Sequence, residues 1–420
     1  MFNAIRQERV VVTGCGVASA LGCTVHEFWQ GLLIGRSGVV ALQSEEFAQL
    51  SSRIGALTGF DEGCYFNVRE SRRLSRSSQL ALVAATEAVA MADLTDRNLD
   101  GSQVGVIVGS SIGGYSTSDL FFKDYYLHDR LNPRIIPVSM NIAPASNLSI
   151  RYGFRGPLLS VDAACASAAH SIGCAFMLIR SGMLDIAVTG GADSPFSPGV
   201  VAAWDALSVL SKRNDTPGEA CRPFSADRDG MALGEGAGIL ILESERSAIR
   251  RGRPILAEVR GYGASGDGHH LTQPAKEGPV QAMQQALSSA NLQPEEIDYL
   301  NAHATGTRHN DPNETAAIKA VFGSHAYRIP VVGNKAALGH TIAASGALEL
   351  IGCILSLRDQ IVPPTINYSF PDSECDLDYV VDGCRCCTLR NVMSNSFAFG
   401  GSNASLIISQ YEANPSEACL

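Results

Sequence analysis

The feature that most constrains this 420-residue chain is a recurring unit, a short run of Val and Ile followed by glycine and then by a stretch with helical patterning. Val10-Val11-Val12 before Gly14, Val104 to Val108 before Gly109, and Ile186 to Val188 before Gly190 are such runs, and the alanine-rich Ser78 to Asp93 is such a helix. Strands alternating with helices predict an α/β protein with substantially parallel sheets. The second half repeats the plan. Helix Pro279 to Ala290, Asn291-Leu292 and strand Ile297 to Leu300 mirror helix Ser78 to Asp93, Leu94 and strand Val104 to Val108. The alanine-rich helix after Cys165 has its counterpart in one beginning near Ala343. The expectation is a duplicated α/β core with halves at 1–253 and 254–412, joined near Glu243 to Pro254, and a tail at 413–420.

With 45% hydrophobic and 18% charged residues, the chain can bury a large core. Met1 to Gln7 carries Arg6, and Arg9 and Thr13-Gly14 break any apolar run that would form a signal peptide. The apolar stretch Ala347 to Leu357 contains Glu349 and falls short of the roughly 20 residues that span a bilayer. These features predict a soluble, cytoplasmic protein that does not enter a membrane. Without a secretory signal, the 12 cysteines read as reduced thiols. A net charge of -10 argues against nucleic acid as partner. Arg69, Arg72, Arg73 and Arg76 nevertheless form a compact basic cluster, which is either a solvated helix face or a surface for an acidic partner.

Cys165 lies where the strand Leu158 to Val161 leads into a helix reaching about Arg180. At such a turn, free backbone N–H groups and the helix dipole favour the reactive thiolate and offer a place for an oxyanion. Taken alone, a buried inert cysteine explains it as well. His303, with Thr305 and Thr307 after it, follows the strand ending at Leu300, and Lys335 and His340 flank one turn after another apolar strand. Sites in α/β proteins commonly form at such strand exits. Zinc is the competing use of Cys and His, but no HxxxH spacing is present, and the dense thiol group Cys384, Cys386 and Cys387 has no histidine near it in the sequence. Phe399 precedes the pair Gly400-Gly401, whose backbone freedom would let the ring press on a bound chain; a buried phenylalanine beside a turn is the plainer account. Gly14-Cys15-Gly16 fails as a dinucleotide loop because position 19 is Ser19. Gly109-Ser110-Ser111-Ile112-Gly113 matches the serine-hydrolase elbow and leaves Ser111 as an alternative nucleophile.

Five ordered motifs carry a resemblance over nearly the whole chain. They are D-A-A-C-A-S-A-A-H around Cys165, R-P-F-S-A-D-R-D-G-M-A-L-G-E-G-A-G at Arg222 to Gly238, N-A-H-A-T-G-T at 301–307, N-K-A-A-L-G-H at 334–340 and F-A-F-G-G-S-N-A at 397–404. Together they resemble the elongating β-ketoacyl-acyl carrier protein synthases and the ketosynthases of type II polyketide systems. The resemblance implies a thiolase fold, with duplicated βαβαβαββ halves in a five-layered αβαβα core. It implies a decarboxylative condensation between an acyl group on Cys165 and malonyl-acyl carrier protein, aided by His303, His340 and Lys335 and requiring no redox cofactor or catalytic metal.

By the same resemblance, Phe399 is a gate, Ile112 and Ser111 line the acyl pocket, and Thr305 and Thr307 contact phosphopantetheine. Arg69, Arg72 and Arg73 dock the carrier protein, and Asn301, Ala302, Glu349, Ser394 and Asn395 match a structural monovalent-cation (Na+ or K+) site. The partner subunit is a second copy, giving a homodimer, or a homologue of chain-length-factor type, giving a heterodimer. Ala304 and Ala336-Ala337 depart from the usual pattern without removing a catalytic group. A non-catalytic chain-length-factor role, a serine hydrolase and a thiolase acting on free coenzyme A thioesters are the competing readings.

Overall fold

The computed structural model describes residues 7–96 and 99–413. Met1 to Arg6, and the expected tail beyond its first residue, lie outside them. Ten strands form one continuous sheet: β1 (Val10–Ala18), β2 (Val104–Gly109), β3 (Leu158–Val161), β4 (Ile186–Asp193), β5 (Gly236–Ser244), β6 (Ala257–Gly266), β7 (Tyr299–Asn301), β8 (Val331–Val332), β9 (Asn391–Phe397) and β10 (Ser402–Ser409). The principal helices are α1 (Arg76–Met91), α2 (Tyr115–His128), α3 (Ala143–Tyr152), α4 (Ser167–Arg180), α5 (Pro198–Ala206), α6 (Glu277–Ala290), α7 (Asn310–Phe322) and α8 (Ser345–Asp359).

The sheet order is β8-β7-β9-β10-β6-β1-β5-β4-β2-β3. Within each half the order is third, second, fourth, fifth, first, so the duplication seen as a faint sequence echo is a repeat of topology. The halves meet where Val10–Val12 of β1 pairs antiparallel with Ala257–Val259 of β6. Pairing is parallel on the flanks, β2 with β3 and β4, and β7 with β8 and β9. It is antiparallel in the centre, where β5 pairs with β1 and β4, and β10 with β6 and β9. The expected parallel character therefore holds only for the flanks. A parallel return needs a long crossover, and β9 and β10 are joined by the turn 398–401 alone.

Helices α1 and α3 cover the outer face of the first half, and α6 with α7 that of the second. Helices α4 and α8 pack on each other and on both half-sheets. This arrangement gives the five layers. The largest apolar cluster lies around that central pair, joining Ile172 and Phe176 of α4, Leu348 and Ile351 of α8, Leu240 and Leu242 of β5, and Leu406 and Ile408 of β10.

The glycines taken as strand ends at 14 and 190 lie inside strands instead. A Cβ at Gly14 would stand 2.4 Å from the carbonyl oxygen of Ala88, and one at Gly16 2.1 Å from that of Ala84. In the second half, Gly261 and Gly263 of β6 stand in the same way to Ala286 and Ala282 of α6, at 2.4 and 2.0 Å. Glycine on the strand and alanine on the helix let the two backbones approach, and the device occurs once per half. The described cysteines are free thiols, and among the described residues no helix is long and apolar enough to cross a membrane.

Candidate active site

Cys165 sits in a single tight turn, Ala164–Ala166, that leads directly into α4. Ala164 holds φ at +46°, and its backbone is tied down by Ser167, whose hydroxyl donates to the Ala164 carbonyl at 2.7 Å and accepts from the Ala163 N–H at 2.9 Å. The thiol is buried. Burial pushes it up to about 12, Lys335 opposes this in part, and Asp193 adds to it. Burial therefore opposes the thiolate that the helix start was expected to favour. The main-chain N–H groups of Phe399 and of Cys165 itself address the sulfur. Two convergent amides make an oxyanion hole for a carbonyl bonded there. The Phe399 amide has no signature in the sequence.

His303 follows β7 and His340 follows β8 by a longer path, and the structure brings their buried rings to 5.5 Å between centroids, edge to face. The buried Lys335 Nζ donates to His303 Nδ1 at 3.2 Å, to the His303 carbonyl at 2.6 Å and to Glu349 Oε1 at 2.6 Å. Its hydrogen bonds therefore go to His303 and Glu349, although it is His340 that flanks the same turn in the sequence. The N–H of Ile342 donates to His340 Nδ1 at 3.2 Å. In both rings Nδ1 accepts, so in the neutral form the proton resides on Nε2. Burial, with the Lys335 charge second, holds both histidines well below the usual imidazole range, so they are neutral. The pair is a set of two neutral Nε2–H donors.

The backbone beside these groups takes left-handed conformations. Ala304 stands at φ +47°, Ile342 at +51° and Gly400 at +82°, next to or one residue removed from His303, His340 and Phe399. Left-handed backbone costs an alanine or a branched side chain of order 1–3 kcal/mol and persists only where surrounding bonds enforce it. Glu314 of α7 does so at 303–304, accepting from the N–H groups of His303 at 2.7 Å and Ala304 at 2.8 Å. The departure from glycine at Ala304 thus falls where glycine would be at ease.

A cavity of about 100 Å³ is lined by His303, His340, Thr305, Thr307 and Phe399, and the two threonine hydroxyls lie 2.8 Å apart. Phe399 stacks on Trp204 of α5 at 6.0 Å. Trp204 belongs to an apolar cluster with Ile112, Phe196 and Val201, which places the Phe399 ring between the cavity and the surroundings of Ile112. Neither Trp204 nor Glu314 was singled out from the sequence as a site residue; that Trp204 is one of two tryptophans is the only hint the sequence offers. The motif Arg222 to Gly238 provides an ionic frame, with Arg222 on Asp227 at 2.7 Å and Arg228 on Asp372 at 2.6 Å.

The Ser111 N–H donates to buried Asp193 at 3.3 Å, and among the described residues no histidine is hydrogen-bonded to Ser111. Arg69, Arg72 and Arg73 are exposed, whereas Arg76 turns inward to Glu235 at 2.7 Å. At the matched cation site, Asn301 Nδ2 donates to Ser394 Oγ at 3.2 Å, and Glu349 Oε2 has no hydrogen-bond partner. An orphaned carboxylate oxygen among buried oxygen donors fits a monovalent cation. The Asn395 side chain does not, since it meets Met283 of α6 and Ser405 on the other face of β9.

A thiolase-type core that joins a buried cysteine, two amides and two neutral imidazole donors defines a condensing enzyme of the acyltransferase class. Residues 7–248 match the Beta-ketoacyl synthase N-terminal domain and residues 256–369 its C-terminal domain. The chain belongs to the β-ketoacyl synthase family. It is 39% identical over 404 residues to Nodulation protein E of Rhizobium meliloti (strain 1021), covering 96% of this chain and 99% of that protein. It is 37% identical over 415 residues to 3-oxoacyl-[acyl-carrier-protein] synthase 2 of Synechocystis sp. (strain ATCC 27184 / PCC 6803 / Kazusa), covering 97% and 99%. The solved ishigamide ketosynthase/chain length factor superposes with a TM-score of 0.91 at 34% identity, covering 97% and 100%.

Proposed function

We propose that the chain lengthens an acyl group held on Cys165 by two carbons taken from a malonyl group on acyl carrier protein. The observation that carries this is the pair of neutral Nε2–H donors, His303 and His340, beside a cysteine with its own two-amide hole. In the first half-reaction the Cys165 sulfur attacks the acyl thioester, the acyl–sulfur bond to Cys165 forms, and the phosphopantetheine thiol leaves with the proton. In the second, the malonyl carboxylate leaves as carbon dioxide, and its electron pair becomes an enolate whose oxygen accepts from both Nε2–H groups. The enolate carbon attacks the acyl-enzyme carbonyl, and the Cys165 thiolate departs and takes a proton from solvent. Neutral histidines suit this role because they donate without surrendering a proton. Lys335 keeps the His303 Nδ1 supplied with a donor. A monovalent cation held by Asn301, Ala302, Glu349 and Ser394 would compensate the Glu349 charge and takes no part in a step.

Thr305 and Thr307 line the arm's path, Phe399 gates it, and Ile112 and Ser111 border the acyl chain. Exposed Arg69, Arg72 and Arg73 are the docking surface for the acidic carrier. The exposed Tyr115, Phe122, Tyr126 and Leu127 of α2 and Leu159 of the sheet edge β3 support pairing with a second copy or a homologous subunit. The first arrangement suits fatty acid elongation, the second a type II polyketide system. Retention of Cys165 with both histidines weighs against a non-catalytic partner role. The test is intact-mass analysis with acyl- and malonyl-loaded carrier proteins, for wild type and Cys165→Ala. An acyl adduct on wild type only, with a product two carbons longer, is expected. A wild type that forms no adduct, even with a homologous partner supplied, would sink the reading.

A further inference from the structure

The two amides that address the Cys165 sulfur come from distant parts of the chain, one at the start of α4 and the other in the turn 398–401. That turn contains Gly400 at φ +82° and Gly401 at φ +73°, residues with the widest backbone freedom, so its position must be set from outside. We propose that His170 is the positioning residue that holds these two amides in register. The inference rests on the function proposed above.

His170 lies on α4, five residues after Cys165. Its Nε2 shares a hydrogen bond of 2.9 Å with the Ser402 hydroxyl, and its Nδ1 one of 2.6 Å with the Tyr262 hydroxyl. Ser402 closes the gate turn, because its carbonyl accepts from the Ala398 N–H at 2.9 Å. Fixing Ser402 against α4 therefore fixes the segment that presents the Phe399 N–H. Tyr262 of β6 is the second anchor, and its ring packs where a Cβ at Gly173 of α4 would come within 2.4 Å. A neutral imidazole offers one donor and one acceptor, and each hydroxyl can play either part, so both bonds form in either tautomer. His170 touches neither the sulfur nor the two site histidines by any hydrogen bond the structure records, and it acts through the turn.

The two half-reactions separate this role from a general structural one, because the amide hole serves acyl transfer and the histidine pair serves decarboxylation. In His170→Ala, acylation of Cys165 by acyl carrier protein is expected to slow about tenfold, as a displacement below 1 Å at a reacting centre can do. Decarboxylation of malonyl carrier protein, measured without acyl primer, should stay within about twofold. His170→Gln places an amide where Nε2 was and should restore acylation, whereas His170→Asn reaches only Tyr262 and should not. Ser402→Ala, which leaves the His170–Tyr262 bond in place, should repeat the acylation defect and guards against a folding failure at 170. Equal loss in both half-reactions, unchanged acylation, or equal behaviour of Gln and Asn would overturn the inference. A wild type that itself fails to acylate overturns the functional reading and this one with it.

Discussion

Lys335 shows how much a single buried charge decides. It neutralises Glu349, supplies the donor that sets the His303 tautomer, and helps keep both imidazoles neutral. Lys335→Met should lower condensation at least 100-fold and cost about 3–5 kcal/mol, since one member of a buried pair is left behind. Burial raises Glu349 to about 7 even with Lys335 present, so without it the folded protein binds a proton there. A carboxyl raised above its unfolded value loses stability as pH rises, and the variant should be hurt more at pH 8.5 than at pH 6 in urea titrations. Adding Glu349→Gln should return most of the stability and none of the activity; recovery of both would refute the assigned role. Cys165 gives a second test. With its thiol raised to about 12, alkylation by iodoacetamide, followed on the Cys165 peptide, should climb about tenfold per pH unit from 7 to 10. A plateau near neutrality would mean a stabilised thiolate. Residue types and their strand exits made Cys165, His303, His340 and Lys335 legible in the sequence. The protonation state of Cys165 was not, because desolvation depends on what the whole fold places around it, and neither was the Lys335–Glu349 pair, because Glu349 comes from a different helix.

At the scale of elements, the glycine-on-alanine contacts explain why the strand-ending rule failed. Gly14 and Gly16 signalled a turn by composition, yet in β1 they are places where α1 presses on the strand. The sequence carried the signal twice, since β6 and α6 repeat it with Gly261, Gly263, Ala282 and Ala286, but without coordinates a glycine in a turn and a glycine under a helix look alike. Gly16→Ala should cost about 1–3 kcal/mol by forcing the helix outward, and Gly263→Ala a similar amount. Thermal unfolding would measure both, and a neutral result at either would show that the helix shifts freely. The pocket element lends itself to a gain-of-information test. Ile112 packs in the cluster that holds Trp204, on which the Phe399 ring stacks. Ile112→Trp should shorten the longest acyl chain accepted while leaving the rate with short primers within a few-fold. An unchanged product profile would remove Ile112 from the pocket wall.

For the whole molecule, charge and topology together say how a macromolecular substrate reaches a buried site. A chain of net charge -10 repels an acidic carrier at long range, so productive approach needs a local reversal of sign. In the proposed reading Arg69, Arg72 and Arg73 supply it: all three are exposed, while Arg76, which the sequence grouped with them, is paired with Glu235. The sequence could display the cluster but not divide it, because which arginine turns inward depends on a glutamate 159 positions away. Replacing Arg69, Arg72 and Arg73 by Glu should raise the KM for carrier protein by at least tenfold with kcat nearly unchanged, since none of them touches the site. Salt should narrow the gap between variant and wild type, because ions screen exposed charges over about 8 Å at physiological strength. The decisive comparison is with an acyl thioester of free pantetheine, which has no carrier to dock: its kinetics should be the same in both proteins. A parallel loss with that small substrate would mean that the arginines act on the fold of the site, and docking would have to be sought on another face.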